Sequence, residues 1–256
     1  MLNMSKLSPA AFKIIEEYFN LPFPNVYGVR CPYFNNARVG QRGQLKVLVG
    51  KGSPKEIVDE AKIISIQYKQ NVLGVSEPTA IRKFLIDHNL GVDCSGFVVQ
   101  VLKAELAQRG ADLFKKIFIT SKKHLARWLI SQLRPVEQIG VSVLASEKNT
   151  EIINELKDVQ AGDMIIMLNT GPKKNRNHIL LITETKDNII SYTHARAWSS
   201  EGQYGHGVSA GTITVNNPNK GLLEQTWEEK DQLNHDNETY WEARDAALLQ
   251  IRRLKF

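Results

Sequence analysis

Residues 91–110 have the sequence GVDCSGFVVQVLKAELAQRG, which is the most informative segment of the chain about its architecture. Apolar residues surround roughly its first three turns, and this pattern predicts a helix buried on all sides rather than one lying on the surface. The helix is expected to start at Cys94, after a short loop, and Gly110 stands where a left-handed C′ residue ends a helix. The sequence therefore predicts a central helix with a cysteine in its first turn.

Beyond residue 158 the hydrophobic period changes from that of a helix to that of a strand. Four runs rich in β-forming residues follow, separated by Gly, Pro, Asn and Asp clusters: Met164–Leu168, His178–Glu184, Asn188–His194 and Val208–Val215. Leu222–Trp227 and Leu248–Leu254 are weaker strand candidates, divided by a polar loop at Glu228–Glu238. Short connections indicate antiparallel pairing, so the expected class is α+β.

The expected domain organisation is an N-terminal helical and loop extension over residues 1–75 and a main domain over 76–256. The extension contains a helix from Pro9 to about Asn20 and a second helix after the Ser53 N-cap. A third helix is expected from Pro78 to about His88. Residues 111–158, which include Trp128, are expected to be a helical insertion.

Composition excludes several classes of protein. A chain of 256 residues that is 42% hydrophobic and 23% charged can bury a core. The net charge of +6 suits a carboxylate-bearing partner, but no basic stripe with interleaved aromatics predicts nucleic-acid binding. The apolar runs are strand-sized, so no membrane span is expected. Glu16 and Glu17 argue against a signal peptide, which favours the cytoplasm or export by an unrecognised route.

Cys94 has a position that favours chemistry. A thiol in the first turn of a helix is exposed to the positive end of the helix dipole, and a neighbouring imidazolium lowers its pKa further. Taken alone, Cys94 is better explained as a small buried structural residue, which is the commonest role of a lone cysteine. His178 opens one predicted strand and His194 ends the next. If a three- or five-residue loop centred on Lys186 closes this hairpin, the two rings face each other.

The segment Asp93-Cys94-Ser95-Gly96-Phe97-Val98 resembles the nucleophile segment of the NlpC-type cell-wall cysteine peptidases, which are papain-like. Gly162-Asp163, His178-Ile179-Leu180, His194-Ala195 and Ile251–Leu254 are similar to the elements that follow it in that family. The resemblance covers roughly residues 91–256. It implies a papain-like fold with the nucleophile at the start of a buried helix packed on an antiparallel sheet.

The resemblance also implies roles for individual residues. Cys94 would attack an amide carbonyl, His178 would carry the proton, and His194 would hold the His178 ring. Tyr33 is the best match to an upstream tyrosine of the family, although 61 positions separate it from Cys94. Asp93 and Ser95 join it as candidate substrate or oxyanion residues. The implied substrate is a peptidoglycan stem peptide or a related γ-glutamyl peptide, with no cofactor and no metal.

Three alternatives remain open. A catalytically silent module could keep the fold and bind wall fragments. His178, His194 and His206 could hold zinc, although no helical HExxH spacing supports this. Ser209 lies in a G-x-S-x-G sequence with His235 downstream, but the surrounding residues favour a strand rather than the strand, turn and helix of a serine hydrolase.

Overall fold

The computed structural model describes residues 2–34, 46–119, 135–230 and 236–256. The helices are α1 (Pro9–Phe19), α2 (Pro54–Gln67), α3 (Pro78–Asp87), α4 (Cys94–Gln108), α5 (Leu113–Lys116), α6 (Pro135–Gln138), α7 (Val141–Leu144), α8 (Gly202–Gly205) and α9 (Glu238–Asp245). The strands are β1 (Ser5–Lys6), β2 (Thr150–Ile153), β3 (Met164–Thr170), β4 (Arg176–Lys186), β5 (Ile189–Arg196), β6 (Gly207–Thr214), β7 (Thr226–Glu228) and β8 (Leu248–Leu254).

The described strands form one antiparallel sheet in the order β2-β8-β3-β4-β5-β6-β7. β1 pairs with the end of β4, beyond the part that β3 covers. Helices and an antiparallel sheet in one chain confirm the predicted α+β class. Among the described helices, none combines the length and the apolar composition that crossing a membrane requires.

Helix α4 is the centre of the structure, as its sequence predicts. The Asp93 side chain caps its first turn by accepting a hydrogen bond from the Gly96 backbone N–H at 2.6 Å. Every residue from Cys94 to Leu102 is buried. The helix ends in a Schellman motif, with Gly110 at a φ of 73° and the Ala111 N–H bonded to the Leu106 carbonyl.

Apolar side chains cover both faces of the sheet. Helices α1 and α4 lie over one face, where Ile179 and Leu181 of β4 join their core. The other face carries Tyr192, Trp227 and the α9 residue Ala243. Residues 1–75 thus supply β1 to the sheet and α1 and α2 to the α4 core. Helix α2 begins with the predicted Ser53 cap, completed as a capping box by Glu56.

The stretch 111–158 differs from the predicted helical insertion. In its described part, the helices α5, α6 and α7 span four residues each, and Thr150–Ile153 forms strand β2. This four-residue strand is defined by pairing with the C-terminal β8, which no local pattern reveals. Trp128 lies outside the described residues.

The C-terminal region also departs from the prediction. Leu248–Leu254 is a strand as expected, but Leu222–Glu224 forms a 3-10 turn before the short β7. Helix α9 was not predicted, because it is mainly polar and presents only Thr239 and Ala243 as buried residues.

Candidate functional site

Cys94 is the first residue of α4 and is 5% exposed. As a first-turn residue, it has a backbone N–H without an intrahelical partner, so this group points out of the helix N-terminus. Gly96 allows the loop at Gly50 to approach, because a β-carbon at position 96 would collide with the Gly50 carbonyl oxygen. The same carbonyl accepts a hydrogen bond from the Asp93 N–H at 2.9 Å.

This close approach brings Lys51 beneath the start of α4. Its ammonium group is buried and donates to Asp93 Oδ1 at 2.9 Å, to Ser95 Oγ at 2.5 Å and to the Ile139 carbonyl at 3.1 Å. Asp93 and Ser95 are therefore held beside Cys94 by a buried cation. The sequence analysis missed Lys51, since 42 residues separate it from Asp93.

The structure brings the two candidate histidines together. His178 Nε2 and His194 Nδ1 are 2.7 Å apart, and the rings meet edge to face with centroids 5.0 Å apart. Both side chains are buried, with His178 5% exposed and His194 0% exposed. Neither ring is therefore appreciably exposed to solvent.

The predicted register between strands β4 and β5 was wrong by two residues. The loop between Lys186 and Ile189 has two residues, and a bulge lies between Ile182 and Glu184. Because Leu181 pairs with Thr193, His194 lies opposite Leu180 rather than opposite His178. A two-residue offset keeps both rings on one face of the sheet, and diagonal neighbours remain within contact distance.

A third buried side chain completes the histidine pair. Glu229, which follows β7, lies 3.0 Å and 3.2 Å from His194 Nε2 through its two carboxylate oxygens. It also accepts hydrogen bonds from Tyr192 Oη at 2.9 Å and Arg196 Nε at 2.5 Å. The sequence analysis placed Glu229 in a polar loop, and no pattern marks it because its partners are 33 to 37 residues away.

Burial sets the protonation state of the site. It lowers the pKa of His178 from 6.5 to about 4. Burial, together with the negative charge of Asp93, raises the pKa of Cys94 to about 12, although the positive charge of Lys51 opposes this rise. The expectation that the helix N-terminus lowers the thiol pKa is therefore wrong in this state. At neutral pH the site holds a thiol and a neutral imidazole rather than an ion pair.

Tyr33 lies close to Cys94 in space. Its segment forms backbone bridges to Val92, two residues before Cys94, and to Gly207 at the start of β6. Burial raises the pKa of the Tyr33 hydroxyl well above its usual value, and the charges of Cys94 and Asp93 raise it further. The 61-residue separation in sequence is thus closed by the fold.

Cys94 and the histidines approach the same end of the sheet from different sides. The bridges at Tyr33 place Cys94 near the end where β5 finishes and β6 begins. Its side chain belongs to the α4 core, whereas the register partner of His178 is Met167, which belongs to the core on the other face. In the described part of the chain, no hydrogen bond joins Cys94 Sγ to either ring.

Glu242 of α9 links these groups electrostatically. Its carboxylate accepts a hydrogen bond from Thr170 Oγ1 at 2.8 Å. Burial is the largest influence on the pKa of His178, which it lowers, and the charge of Glu242 is the second, which raises that pKa. The pKa of Cys94 is raised mainly by burial and by Asp93, and the charge of Glu242 raises it further. An acidic side chain is thus within electrostatic reach of both candidate catalytic groups.

The geometry of the described residues gives less support to a zinc site or a serine-hydrolase site than to the site at Cys94 and the histidines. Within the described ranges, no group of three or more His, Cys, Asp and Glu side chains is placed to hold a metal ion. His206 Nε2 instead lies 2.8 Å from the Trp198 carbonyl oxygen. Ser209 lies inside strand β6, opposite His194, and not at a turn leading into a helix. His235 lies outside the described residues.

No protein-family model, curated protein or solved structure matches this chain. The functional conclusion therefore depends on the site itself. Its chemistry is that of a helix-start thiol, a buried pair of imidazole rings and a carboxylate behind that pair. Such a set can move a proton and form a covalent bond to a carbonyl carbon.

Proposed function

We propose that this protein is a papain-like cysteine peptidase or amidase that hydrolyses an amide bond in a peptidoglycan stem peptide or a related γ-glutamyl peptide. The observation that carries the proposal is the buried hydrogen bond between His178 and His194 at the end of the sheet that Cys94 also approaches. Histidine is the usual general base for a thiol nucleophile, and a second group that fixes its ring is the usual third member.

The proposed reaction starts from a neutral Cys94 thiol and a neutral His178 imidazole. Cys94 Sγ attacks the amide carbonyl carbon while its proton passes to His178, and the carbonyl oxygen takes the negative charge, facing the Cys94 backbone N–H. His178 then gives the proton to the leaving amine as the carbon–nitrogen bond breaks, which leaves a thioester. Water, deprotonated by His178, cleaves the thioester and restores the thiol.

The neutral resting state has a consequence for this reaction. Since the pKa of the thiol is raised and that of His178 is lowered, proton transfer must accompany carbon–sulfur bond formation. Cys94 and His178 approach the end of the sheet from different sides and share no hydrogen bond, so the reaction requires substrate binding to bring them within hydrogen-bond distance.

The substrate class comes from the family resemblance of Asp93–Val98 and the histidine segments. A net charge of +6 is compatible with carboxylate-rich stem peptides, although it does not select them. The distinguishing experiment is incubation with defined stem peptides and muropeptides, followed by mass analysis of the fragments. Each scissile amide gives a different pair of products, so the masses identify the bond.

The variants for this experiment are Cys94→Ala, His178→Ala and His194→Ala, with Cys31→Ala as the matched control. Cys94→Ala is expected to abolish turnover, and His178→Ala to lower it about 10²- to 10⁴-fold, the usual contribution of a general base. His194→Ala should leave a weaker residual activity. Cys31 is fully buried and its thiol contacts the Pro32 carbonyl rather than a histidine, so its variant should retain activity if it folds. Unchanged turnover in Cys94→Ala would contradict the proposal.

A second function is favoured by two observations. The raised pKa of Cys94 and the missing hydrogen bond to His178 suit a catalytically silent module that keeps the fold and binds wall fragments. Calorimetric titration with the same peptides separates the two proposals. Binding without any cleavage product over a long incubation would support the silent module.

A further inference from the structure

We infer that Lys51 is a positioning residue for Cys94: its buried ammonium group offsets the negative charge of Asp93 beside the thiol and fixes the first turn of α4. The inference deepens the proposed function, and the role of Cys94 as the nucleophile rests on that function. The effect of Lys51 on the reactivity of the thiol depends only on the contacts of the described residues.

The loop that carries Lys51 is held at three consecutive carbonyl groups, those of residues 50–52. The first accepts a hydrogen bond from the Asp93 N–H at 2.9 Å. The second accepts one from Gln100 Nε2 of α4 at 2.8 Å, and the third accepts one from Tyr18 Oη of α1 at 2.7 Å. Because the backbone is tied to both helices, the loop delivers the Lys51 side chain to a fixed place.

The contacts of the Lys51 side chain require the protonated form. Ser95 Oγ donates its proton to Asp93 Oδ1 at 3.0 Å, so it can only accept from Lys51 Nζ. The Ile139 carbonyl, 3.1 Å from Nζ, can also only accept. Asp93 Oδ1, 2.9 Å from Nζ, is the third acceptor. Three acceptors need three N–H groups, which only the ammonium form supplies.

Lys51 and Asp93 form an ion pair that is largely shielded from water, with side chains 6% and 15% exposed. In such surroundings, a charge without a partner acts strongly on a neighbouring ionisable group. Burial and the charge of Asp93 raise the pKa of Cys94, whereas the charge of Lys51 lowers it. Lys51 thus offsets the charge of the residue that caps the helix.

Charged groups from three parts of the fold act on the Cys94 thiol. Asp93 caps α4, Lys51 comes from the loop before α2, and Glu242 comes from α9. Tyr33 also lies close, but burial raises the pKa of its hydroxyl well above the usual value, so this group is neutral at about pH 9. Lys51 is the cation of this set, and its removal leaves the thiol near two carboxylates.

Two substitutions separate this role from a purely structural one. Asp93→Asn removes the negative charge and can keep the described hydrogen bonds of the side chain. The contacts of this side chain with Lys51, Ser95 and Gly96 all use Oδ1, which becomes the amide oxygen. Lys51→Met removes the positive charge. The two changes should move the reactivity of Cys94 in opposite directions, whereas loosening of the first turn would raise it in both.

The test is the rate of Cys94 alkylation by iodoacetamide in the full chain at about pH 9, followed by mass analysis of each cysteine. An adjacent charge changes the ratio of the two protonation states of a group about 10- to 10³-fold. About half of that effect, on a logarithmic scale, is offset because a more basic thiolate is a better nucleophile. Lys51→Met should therefore slow alkylation by about 3- to 30-fold, and Asp93→Asn should accelerate it by a similar factor.

Two controls accompany these variants. Cys31 is fully buried, so its alkylation reports unfolding of the chain, and its rate is subtracted from that of Cys94. Lys55→Met removes an ammonium group that is 81% exposed and should change the Cys94 rate by less than about 1.5-fold. If Lys51→Met does not fold, the double variant with Asp93→Asn takes its place. It should react about 3- to 30-fold more slowly than Asp93→Asn alone.

The outcomes distinguish this inference from the proposed function. After subtraction of the Cys31 rate, Cys94 rates that move in the same direction in Lys51→Met and Asp93→Asn, or that do not move, would overturn the inference. Opposite shifts combined with undiminished turnover in Cys94→Ala would overturn the proposed function alone, because the alkylation rates do not depend on turnover.

Discussion

Replacing Lys51 with methionine removes the buried ammonium group beneath the start of α4 while keeping most of the side-chain volume. Three acceptors lose their donor: Asp93 Oδ1, Ser95 Oγ and the Ile139 carbonyl. At about 1–1.5 kcal/mol for each lost buried hydrogen bond, the free energy of unfolding falls by about 3–4.5 kcal/mol. This agrees with the ~3–5 kcal/mol typical of removing one partner of a buried ion pair.

The assay is urea unfolding followed by fluorescence, with the slope m compared between proteins so that a shift in midpoint reports stability. At a slope of about 3 kcal/mol/M, the expected loss lowers the midpoint by about 1 M or more. Lys55→Met is the matched control. Lys55 forms an ion pair with Asp59 at 2.5 Å, but its side chain is 81% exposed, so the midpoint should not move measurably.

A double variant separates charge from packing. In Lys51→Met with Asp93→Asn, no buried carboxylate remains without a cation, and the asparagine oxygen still accepts the Gly96 N–H that caps α4. The combined loss should therefore be smaller than the sum of the two single losses. A loss below about 1 kcal/mol in Lys51→Met, equal to that of Lys55→Met, would refute the structural reasoning.

Three further predictions concern burial. Because burial lowers the pKa of His178 to about 4, the unfolded chain binds more protons than the folded one between about pH 6.5 and pH 4. The free energy of unfolding measured by urea should therefore fall as the pH is lowered from about 6.5 to about 4, and His178→Phe should remove this part of the fall. The pKa of Cys94 is raised to about 12, so its alkylation rate should still be rising at about pH 10, with Cys31 slower at every pH; a plateau near neutral pH would contradict this. Phe97 is fully buried against Tyr18, with ring centroids 5.3 Å apart, so Phe97→Ala should lower the unfolding free energy by about 3–5 kcal/mol in the same urea assay; a loss under about 1 kcal/mol would show that this packing is wrong.

Much of the framework was predictable because it depends on neighbours in sequence. The burial of α4, its start at Cys94 and its end before Gly110 follow from a continuous apolar run between a capping residue and a left-handed glycine. The strands β3 to β6 appear within about two residues of their predicted bounds, since each has a period-two or fully apolar pattern between turn residues.

The site could be predicted only in part. His178 and His194 were paired correctly as neighbours on one face, because a hairpin shift of two residues preserves the face. The bulge that caused the shift lies between Ile182 and Glu184, where the sequence carries no glycine or proline to mark it. Helix α9, with Glu242, was missed because it is short and mainly polar.

The α+β class could be derived from sequence alone, and so could the buried helix with Cys94 in its first turn and the strands that carry the two histidines. These features depend on periodicity and capping, which act over a few residues. The fold places Lys51 beneath the start of α4 and Glu229 behind the histidines, and through burial it keeps the Cys94 thiol and the His178 imidazole neutral. Desolvation and hydrogen bonds between distant strands depend on which segments meet in space, and no local pattern contains that information.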